Sequence, residues 1–166
     1  MIKNNKNQIV ALVPSKKNST RLKNKNFLKL YKNQTLLEIT LNSLKKIKNI
    51  NKVYVSSDER KAQRIAKDFK VEFINRPKKY CRSNSTANEV ISHFVKLIKK
   101  NYYNYQNLVC IYLQPTSPFR SYKHIKSALN IFNKKRDKSL VSVQIDSKSI
   151  FKSVVISKKI IKPFFN

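Results

Sequence analysis

A chain of 166 residues with no glycine at all has to make every tight turn from residues that carry a Cβ. Left-handed backbone is nearly free for glycine and costs other residues on the order of 1–2 kcal/mol, with Asn and Asp the most tolerant. Asn is therefore the expected stand-in wherever the backbone must turn left-handed, and the chain has 19 of them. The same skew gives 30 Lys against 7 Arg and adds 17 Ile, which reads as a drift of composition toward a few codons.

Lys and Arg total 37 against 8 Asp plus Glu, so the formal net charge is +29. Such a charge ordinarily points to nucleic acid, whose phosphates release condensed counterions when basic side chains neutralise them. Here the excess is Lys spread along the whole chain, whereas base and phosphate readout favours the bidentate guanidinium fork. Most of the charge therefore reads as a solvated face. With 40% hydrophobic residues the chain is not expected to be disordered. A fold of this length buries roughly 70% of its surface and needs no disulfides to support a core. The apolar runs, such as Ile9 to Val13, fall far short of the ~20 residues of a membrane span. Met1 to Gln8 is polar and lacks the small-residue cleavage site of a secretory signal. Cys81 and Cys110 have no metal-ligand spacing and suit a reducing cytosol.

Short apolar runs alternate with stretches of helical period, the pattern of a parallel α/β sheet. Strands are expected at Ile9 to Val13, Lys52 to Val55, Val71 to Ile74, Leu108 to Leu113 and Ser139 to Ile145. Ala62, Ile65, Ala66 and Phe69 recur at i, i+3, i+4 and i+7, as do Ile125, Ala128, Leu129 and Phe132. Leu37, Leu41 and Leu44 mark another helix, and Val90, Ile91, Phe94 and Ile98 a fourth. Asp58 is placed to start the second helix, and Thr86 with Glu89 has the form of a capping box. More than twenty residues, Pro14 to Gln34, separate the first strand from the first helix and are dense in Lys, Asn and Ser. Ligands of α/β sheets bind at the carboxyl ends of strands, so this basic loop is a candidate anion site. From position alone, a mobile Lys-rich surface loop fits equally well.

Three segments carry more information. Pro14-Ser15-Lys16-Lys17-Asn18-Ser19-Thr20-Arg21-Leu22-Lys23-Asn24-Lys25-Asn26 follows the first strand. Val55-Ser56-Ser57-Asp58-Glu59 ends the next strand, with Arg76-Pro77 further on. Leu113-Gln114-Pro115-Thr116-Ser117-Pro118-Phe119-Arg120 ends a later one. In this order, at these strand ends, they resemble the acylneuraminate cytidylyltransferases, or CMP-sialic acid synthetases. In that family the corresponding segments typically read Pro-Ala-Arg-Gly-Gly-Ser-Lys-Arg-Leu-Pro-Gly-Lys-Asn, Val-Ser-Thr-Asp and Leu-Gln-Pro-Thr-Ser-Pro-Leu-Arg. Ser139-Leu140-Val141-Ser142-Val143 is similar to the family's Ser-Leu-Val-Ser-Val strand. The resemblance spans essentially the whole chain. It implies a Rossmann-like, mostly parallel α/β sheet with helices on both faces, of the nucleotide-diphospho-sugar transferase type.

The resemblance implies an activity as well: transfer of CMP from CTP to a nonulosonic acid such as N-acetylneuraminate, with release of pyrophosphate, in surface-glycan synthesis in the cytoplasm. Lys16, Arg21 and Lys25 put three cations into one loop, enough to neutralise most of a triphosphate, and are the expected catalytic set. Nucleotide contacts are implied at Pro14, Ser19, Asn26, Arg76 and Thr86. Proline forces Arg76 into an extended conformation that can aim it across the strand ends. Thr86 is the nearest hydroxyl to the place where the family reads the base. Gln114, Thr116, Ser117 and Arg120 gather an amide, two hydroxyls and a guanidinium on a loop stiffened by two prolines, a suitable binder for a sugar acid or a triphosphate, and the resemblance assigns them to the substrate. Arg120 has a second reading, as a structural clasp of its own loop. His93 and His124 read as ordinary helix residues.

The chain also departs from the family pattern. Lys16 replaces Arg and loses the bidentate fork. Lys17-Asn18 replaces Gly-Gly, and Asn24 replaces Gly. Residues 1–166 are expected to form a single cytidylyltransferase-like domain lacking the family's C-terminal segment, which by resemblance supplies an arm exchanged between subunits and an Asp-x-Asp metal site. A Mg2+ cofactor and a homodimer are thus implied, yet none of the eight acidic residues matches that motif, and no residue here is assigned as a metal ligand. Ser19-Thr20-Arg21-Leu22 is similar to the 3-deoxy-manno-octulosonate cytidylyltransferases too, whereas Lys25-Asn26 and the Gln-Pro-Thr-Ser-Pro loop favour the acylneuraminate branch. Pseudaminic and legionaminic acid stand beside N-acetylneuraminate as acceptors. The alternatives from other classes are a basic nucleic-acid-binding domain on the same scaffold and an inactive truncated remnant.

Overall fold

The computed structural model describes residues 8–17, 22–99, 108–135, 139–143, 154–157 and 160–163. The chain divides into two compact units, residues 1–126 and residues 127–166. The first holds a four-stranded parallel sheet of β1 (Gln8–Pro14), β4 (Lys52–Ser57), β5 (Glu72–Asn75) and β6 (Leu108–Tyr112), in the spatial order β5-β4-β1-β6. Helices α1 (Leu36–Lys45), α2 (Arg60–Asp68) and α3 (Ala87–Ile98) connect these strands, and α4 (Tyr122–Lys135) follows β6. In the second unit, β7 (Val154–Ser157) and β8 (Ile160–Pro163) pair antiparallel.

β1 carries the fold. Residues 10 to 13 are completely buried, as a strand covered on both faces must be. Val10, Leu12 and Tyr54 point to one face and pack against Val90, Phe94 and Ile98 of α3. The Tyr54 and Phe94 rings meet edge to face at 5.1 Å. By the alternation of strands, Ile9, Ala11, Val13 and Val55 point to the other face. Right-handed crossovers place α1 and α2 there, because β1 to β4 and β4 to β5 step in the same direction; the return from β5 to β6 reverses direction and sends α3 to the opposite face. Leu37, Leu41 and Leu44 of α1 and Ala62 and Ala66 of α2 are the buried residues of these helices.

Four of the five expected strands coincide with β1, β4, β5 and β6, and all four helices are present. The capping box at α3 is as expected: Thr86 Oγ1 accepts from the Glu89 amide, and the Glu89 carboxylate accepts from the Thr86 amide at 2.7 Å. α1 has one as well, at Thr35 and Glu38, a signal legible in the sequence. Asp58 does not cap α2. Its carboxylate accepts from the Lys17 amide at 2.9 Å, and the cap passes to Glu59, which accepts from the Lys61 amide. Residues 139 to 143 are not a strand: they are exposed, and the run has no pairing partner among the described residues. Apolar alternation without a neighbouring ladder does not hold a strand. Positions 144 and 145 of that expected strand lie outside the described residues.

The long connection after β1 contains a short 3-10 turn at Lys25–Phe27 and a small hairpin of β2 (Lys29–Tyr31) and β3 (Gln34–Thr35). Its two-residue turn is Lys32-Asn33, both at positive φ, where hairpins normally place Asn-Gly. Without glycine the sequence signal for this hairpin was hidden. The four positive-φ residues among those described are Asn24, Lys32, Asn33 and Lys70. Asn thus serves in two places and Lys, the commonest residue, in the other two.

Lys70 follows the C-cap of α2 in a Schellman arrangement, with the Val71 amide donating to the Ala66 carbonyl at 2.9 Å and the Lys70 amide to Lys67 at 2.9 Å. At φ 55 it carries the Cβ penalty without any gain. Lys70→Gly is expected to raise unfolding stability by about 0.5–1 kcal/mol, the left-handed cost less the added entropy of the unfolded chain, measured by urea titration. Phe94→Ala, in contrast, is expected to lose about 3–5 kcal/mol in the same experiment, because it leaves a hole between α3 and the sheet.

Candidate active site

Because the four strands run parallel, their carboxyl ends share one edge, where Ser15, Asp58, Arg76 and Gln114 begin the exits. The ladder continues past the strands there: the Ser15 amide donates to the Ser56 carbonyl at 2.9 Å, Arg76 to Ser57 at 2.8 Å and Leu113 to Leu12 at 3.0 Å. The direction in which successive strands are added reverses between β1 and β6, which makes the crevice between their ends the switch point at which open α/β sheets bind ligands. Both long motifs leave from it, Pro14 onward from β1 and Gln114 onward from β6.

The loop after β1 is tied to the exits of β4 and β5. Lys16 Nζ donates to the Arg82 carbonyl at 3.0 Å. Lys17 reaches β4 twice, through its amide to Asp58 and through its ammonium to Glu59 at 3.6 Å. Further along, Asn24 stands at φ 56 in the place where the resembling motif has glycine. It turns the chain into the 3-10 turn that presents Lys25 and buries Asn26, whose Oδ1 has no partner. Ser19 and Arg21 lie outside the described residues.

Arg76 is the most informative side chain at this edge. It is 4% exposed, one NH2 donates to the Ser56 carbonyl at 2.9 Å, and Nε is buried without a partner. No carboxylate lies within salt-bridge distance of it among the described residues. A desolvated guanidinium left this way is costly unless a ligand or water completes its bonds. The Ser15 and Ser56 hydroxyls nearby in the ladder are also buried and unpartnered. These three orphaned polar groups lie at the ends of β1, β4 and β5. Sequence reasoning singled out Arg76; the two serines carried no signal, since burial of a hydroxyl depends on the packing around it.

Other expected residues sit in separate surroundings. Thr86 caps α3, with its hydroxyl also within 3.2 Å of the Glu89 carboxylate. Gln114, Thr116 and Ser117 are exposed on a loop folded into two successive turns, Ser117 amide to Gln114 carbonyl at 3.4 Å and Arg120 amide to Ser117 carbonyl at 3.2 Å. Arg120 clasps this loop by donating to the Gln114 carbonyl at 3.0 Å, while its own carbonyl accepts from Ser43 of α1. Its Nε is buried without a partner, and burial draws its pKa down from the usual guanidinium range. Arg120 thus makes the contact of a loop clasp, with its Nε left without a partner. His93, on α3, stacks on Tyr80 at 4.9 Å, and burial, with help from Arg76 and Lys79, lowers its pKa.

The described residues do not fit a protein-held divalent cation. No group of three or more His, Cys, Asp or Glu side chains among them is placed to share a metal ion. The two carboxylates at this edge are engaged, Asp58 by the Lys17 amide and Glu59 by the Lys17 ammonium and the start of α2. No described helix is long and apolar enough to cross a membrane.

Cys81 lies against this network, its Sγ 3.8 Å from the Arg76 carbonyl. Burial pushes its thiol up to about 11, opposed by the Arg76 guanidinium and aided by Asp58. Burial alone raises Cys110, on β6, to about 11. At pH 8 each would then be thiolate at only about 0.1%, so neither is nucleophilic. The folded protein is expected to react with iodoacetamide far more slowly than its urea-unfolded form at pH 8, with a rate still climbing at pH 10; rapid labelling at neutral pH, read by mass spectrometry, would contradict this electrostatic picture.

The profile of the cytidylyltransferase family matches residues 10–163. The chain is 30% identical over 125 residues to an N-acylneuraminate cytidylyltransferase of Escherichia coli O18:K1:H7, a match covering 75% of this chain and 28% of that protein. It is 31% identical over 137 residues to a Helicobacter pylori protein described as a pseudaminic acid cytidylyltransferase and UDP-2,4-diacetamido-2,4,6-trideoxy-beta-L-altropyranose hydrolase, covering 80% of this chain and 25% of that one. The chain therefore spans little more than a quarter of the length of these relatives. Among solved structures, a CMP:2-keto-3-deoxy-manno-octonic acid synthetase complexed with CTP superposes with a TM-score of 0.60 at 16% identity, over 78% of this chain and 48% of that one. A Leptospira borgpetersenii cytidylyltransferase gives 0.59 at 23%, over 78% and 50%. At these identities the superpositions speak for the fold.

Proposed function

The chain belongs to the cytidylyltransferase family, and on that premise we propose that it transfers CMP from CTP to a nonulosonic acid of the N-acylneuraminate type and releases pyrophosphate. The observation that carries this reading is the shared edge of strand ends, where the Lys16 to Asn26 loop leaves β1 and the Gln114 to Arg120 loop leaves the neighbouring β6, with a buried, incompletely bonded Arg76 at the end of β5. Cationic and polar donors on two loops of a rigid sheet suit a substrate pair of which one is a triphosphate and the other a carboxylate.

In this reading the anomeric hydroxyl of the sugar acid attacks the α-phosphorus of CTP. A P–O bond forms to the sugar oxygen, the bond between the α- and β-phosphates breaks, the hydroxyl proton is lost to solvent and pyrophosphate leaves. Lys16, Arg21 and Lys25 hold the triphosphate and stabilise the charge that moves onto the leaving group. Lys16 must release the Arg82 carbonyl to do so. Pro14, Ser19 and Asn26 lie along the nucleotide, and Arg76 completes its bonds on the cytosine or ribose; Thr86 stands at the far end of that path. Gln114, Thr116, Ser117 and Arg120 orient the sugar acid for in-line attack. Mg2+ is expected to arrive as the complex with CTP, since the described residues at this edge offer no ligand set. The activity belongs with CTP in the cytoplasm, in the supply of activated sugar for surface polysaccharide, and a homodimer is the expected assembly.

Calorimetric titration with CTP, UTP and ATP at physiological salt tests the site. CTP is expected to bind selectively, and Lys16→Ala and Lys25→Ala each to weaken it about tenfold or more, the loss of one charge-assisted bond. Equal, weak, salt-sensitive binding of all three nucleotides would overturn the reading. Pyrophosphate release with N-acetylneuraminate, legionaminate and pseudaminate then identifies the acceptor.

A further inference from the structure

On the side of the sheet away from the crevice between β1 and β6, α2 and the edge strand β5 enclose an open groove of ≈ 460 Å³ lined by Arg60, Gln63, Arg64, Lys67, Val71 and Phe73. Arg60, Arg64 and Lys67 are spaced i, i+4 and i+7, so they form a single cationic stripe along the helix. The floor is apolar: Ile74 packs toward α3, and strand alternation turns Phe73 to the α2 face.

Three features set this stripe apart from the general positive charge. Only 7 of the 37 basic residues are Arg, and two of them stand here one helical turn apart. None of the three cations makes an ion pair among the described residues, and no carboxylate lines the groove. Asp68 of α2 is not among the lining residues, and Glu72 of β5 is engaged by Lys52 at 3.6 Å. The arrangement also works against the helix. Like charges at i, i+4 repel, and the one carboxylate at the start of α2, the N-cap Glu59, is already engaged by the Lys61 amide and the Lys17 ammonium. An anion lying in the groove would relieve that repulsion.

The adjoining edge decides its shape. Among the described residues β5 pairs only with β4, so its outer edge offers free backbone donors and acceptors, the template for an added strand. Side chains on one face of an extended peptide repeat about every 6.8 Å, close to the rise of about 6 Å between Arg60 and Arg64. We infer that the α2–β5 groove binds an extended acidic peptide segment of a partner protein, which adds to the β5 edge and sets alternate Asp or Glu side chains against Arg60, Arg64 and Lys67, their aliphatic stems lying on Val71 and Phe73. This site is separate from the proposed nucleotide crevice and does not depend on that reading.

Fluorescence anisotropy of a labelled peptide of alternating Glu and Val tests it at physiological salt. Two controls carry equal charge: a peptide with Pro in place of Val, which cannot extend the ladder, and a short inorganic polyphosphate. The Glu-Val peptide is expected to bind at least tenfold more tightly than either control, to slow amide exchange in β5, and to lose at least tenfold in the double variant Arg60→Gln, Arg64→Gln. The variant is expected to melt like the parent and to titrate with CTP as the parent does, whatever that behaviour is. No binding of the Glu-Val peptide, equal binding of the polyphosphate or the Pro peptide, or undiminished binding by the variant would each overturn the proposal.

Discussion

The parallel pairing of β1 between β4 and β6 is the constraint from which the rest of the molecule follows. Its central residues are sealed on both faces, so they can only be apolar, and a strand of that kind has to lie in the middle of a sheet with helices on either side. β4 and β5 are added on one flank by right-handed crossovers and β6 joins on the other, so the connection through α3 must change faces. That reversal opens the crevice at the strand ends. The edge–face contact of Tyr54 and Phe94 and the packing of Val90 and Ile98 hold α3 on its face, so the core and the crevice share one geometric cause.

Electrostatically, the crevice differs from the surface around it. Most of the 37 cations are lysines that water can solvate. Arg76 instead is buried with part of its guanidinium unbonded, beside the hydroxyls of Ser15 and Ser56 in the same condition. A fold retains such groups where something else completes them, because their desolvation is otherwise uncompensated. The two carboxylates at this edge serve the scaffold: Asp58 and Glu59 fasten the loop after β1 through Lys17 and start α2. Among the described acidic residues, Glu38, Glu59 and Glu89 cap helices, Asp58 fastens the loop after β1 and Glu72 pairs with Lys52, and no ligand set for a cation is found among the described residues.

The order of strands and helices was legible because burial on two faces leaves continuous apolar runs and burial on one leaves a period of 3.6, and both survive a strong compositional drift. The loops were less legible. A hairpin whose turn is Lys32-Asn33 gives none of the usual signal, and positive φ at Lys70 is imposed by the helix end, not by the residue that occupies it. The start of α2 was misplaced by one residue because the Asp58 carboxylate is claimed by a backbone amide 41 positions away, a competition no local pattern reveals. Residues 139 to 143 have the composition of a strand and no neighbour to pair with among the described residues.

For the candidate site the division is similar. The sequence by itself determined which residue types stand at the strand ends: the cations of the loop after β1, the Arg76-Pro77 step and the Gln-Pro-Thr-Ser-Pro loop, since these are local strings. Only the tertiary structure decided their condition. It buried Arg76 without a carboxylate, parked Lys16 on the Arg82 carbonyl, bent Arg120 back onto Gln114 and turned Thr86 to the start of α3. It also gathered Arg60, Arg64 and Lys67 beside a sheet edge that is unpaired among the described residues. Solvation, pairing and burial depend on segments that meet only after the sheet has closed around β1, so they are properties of the assembled surroundings and not of any stretch of chain.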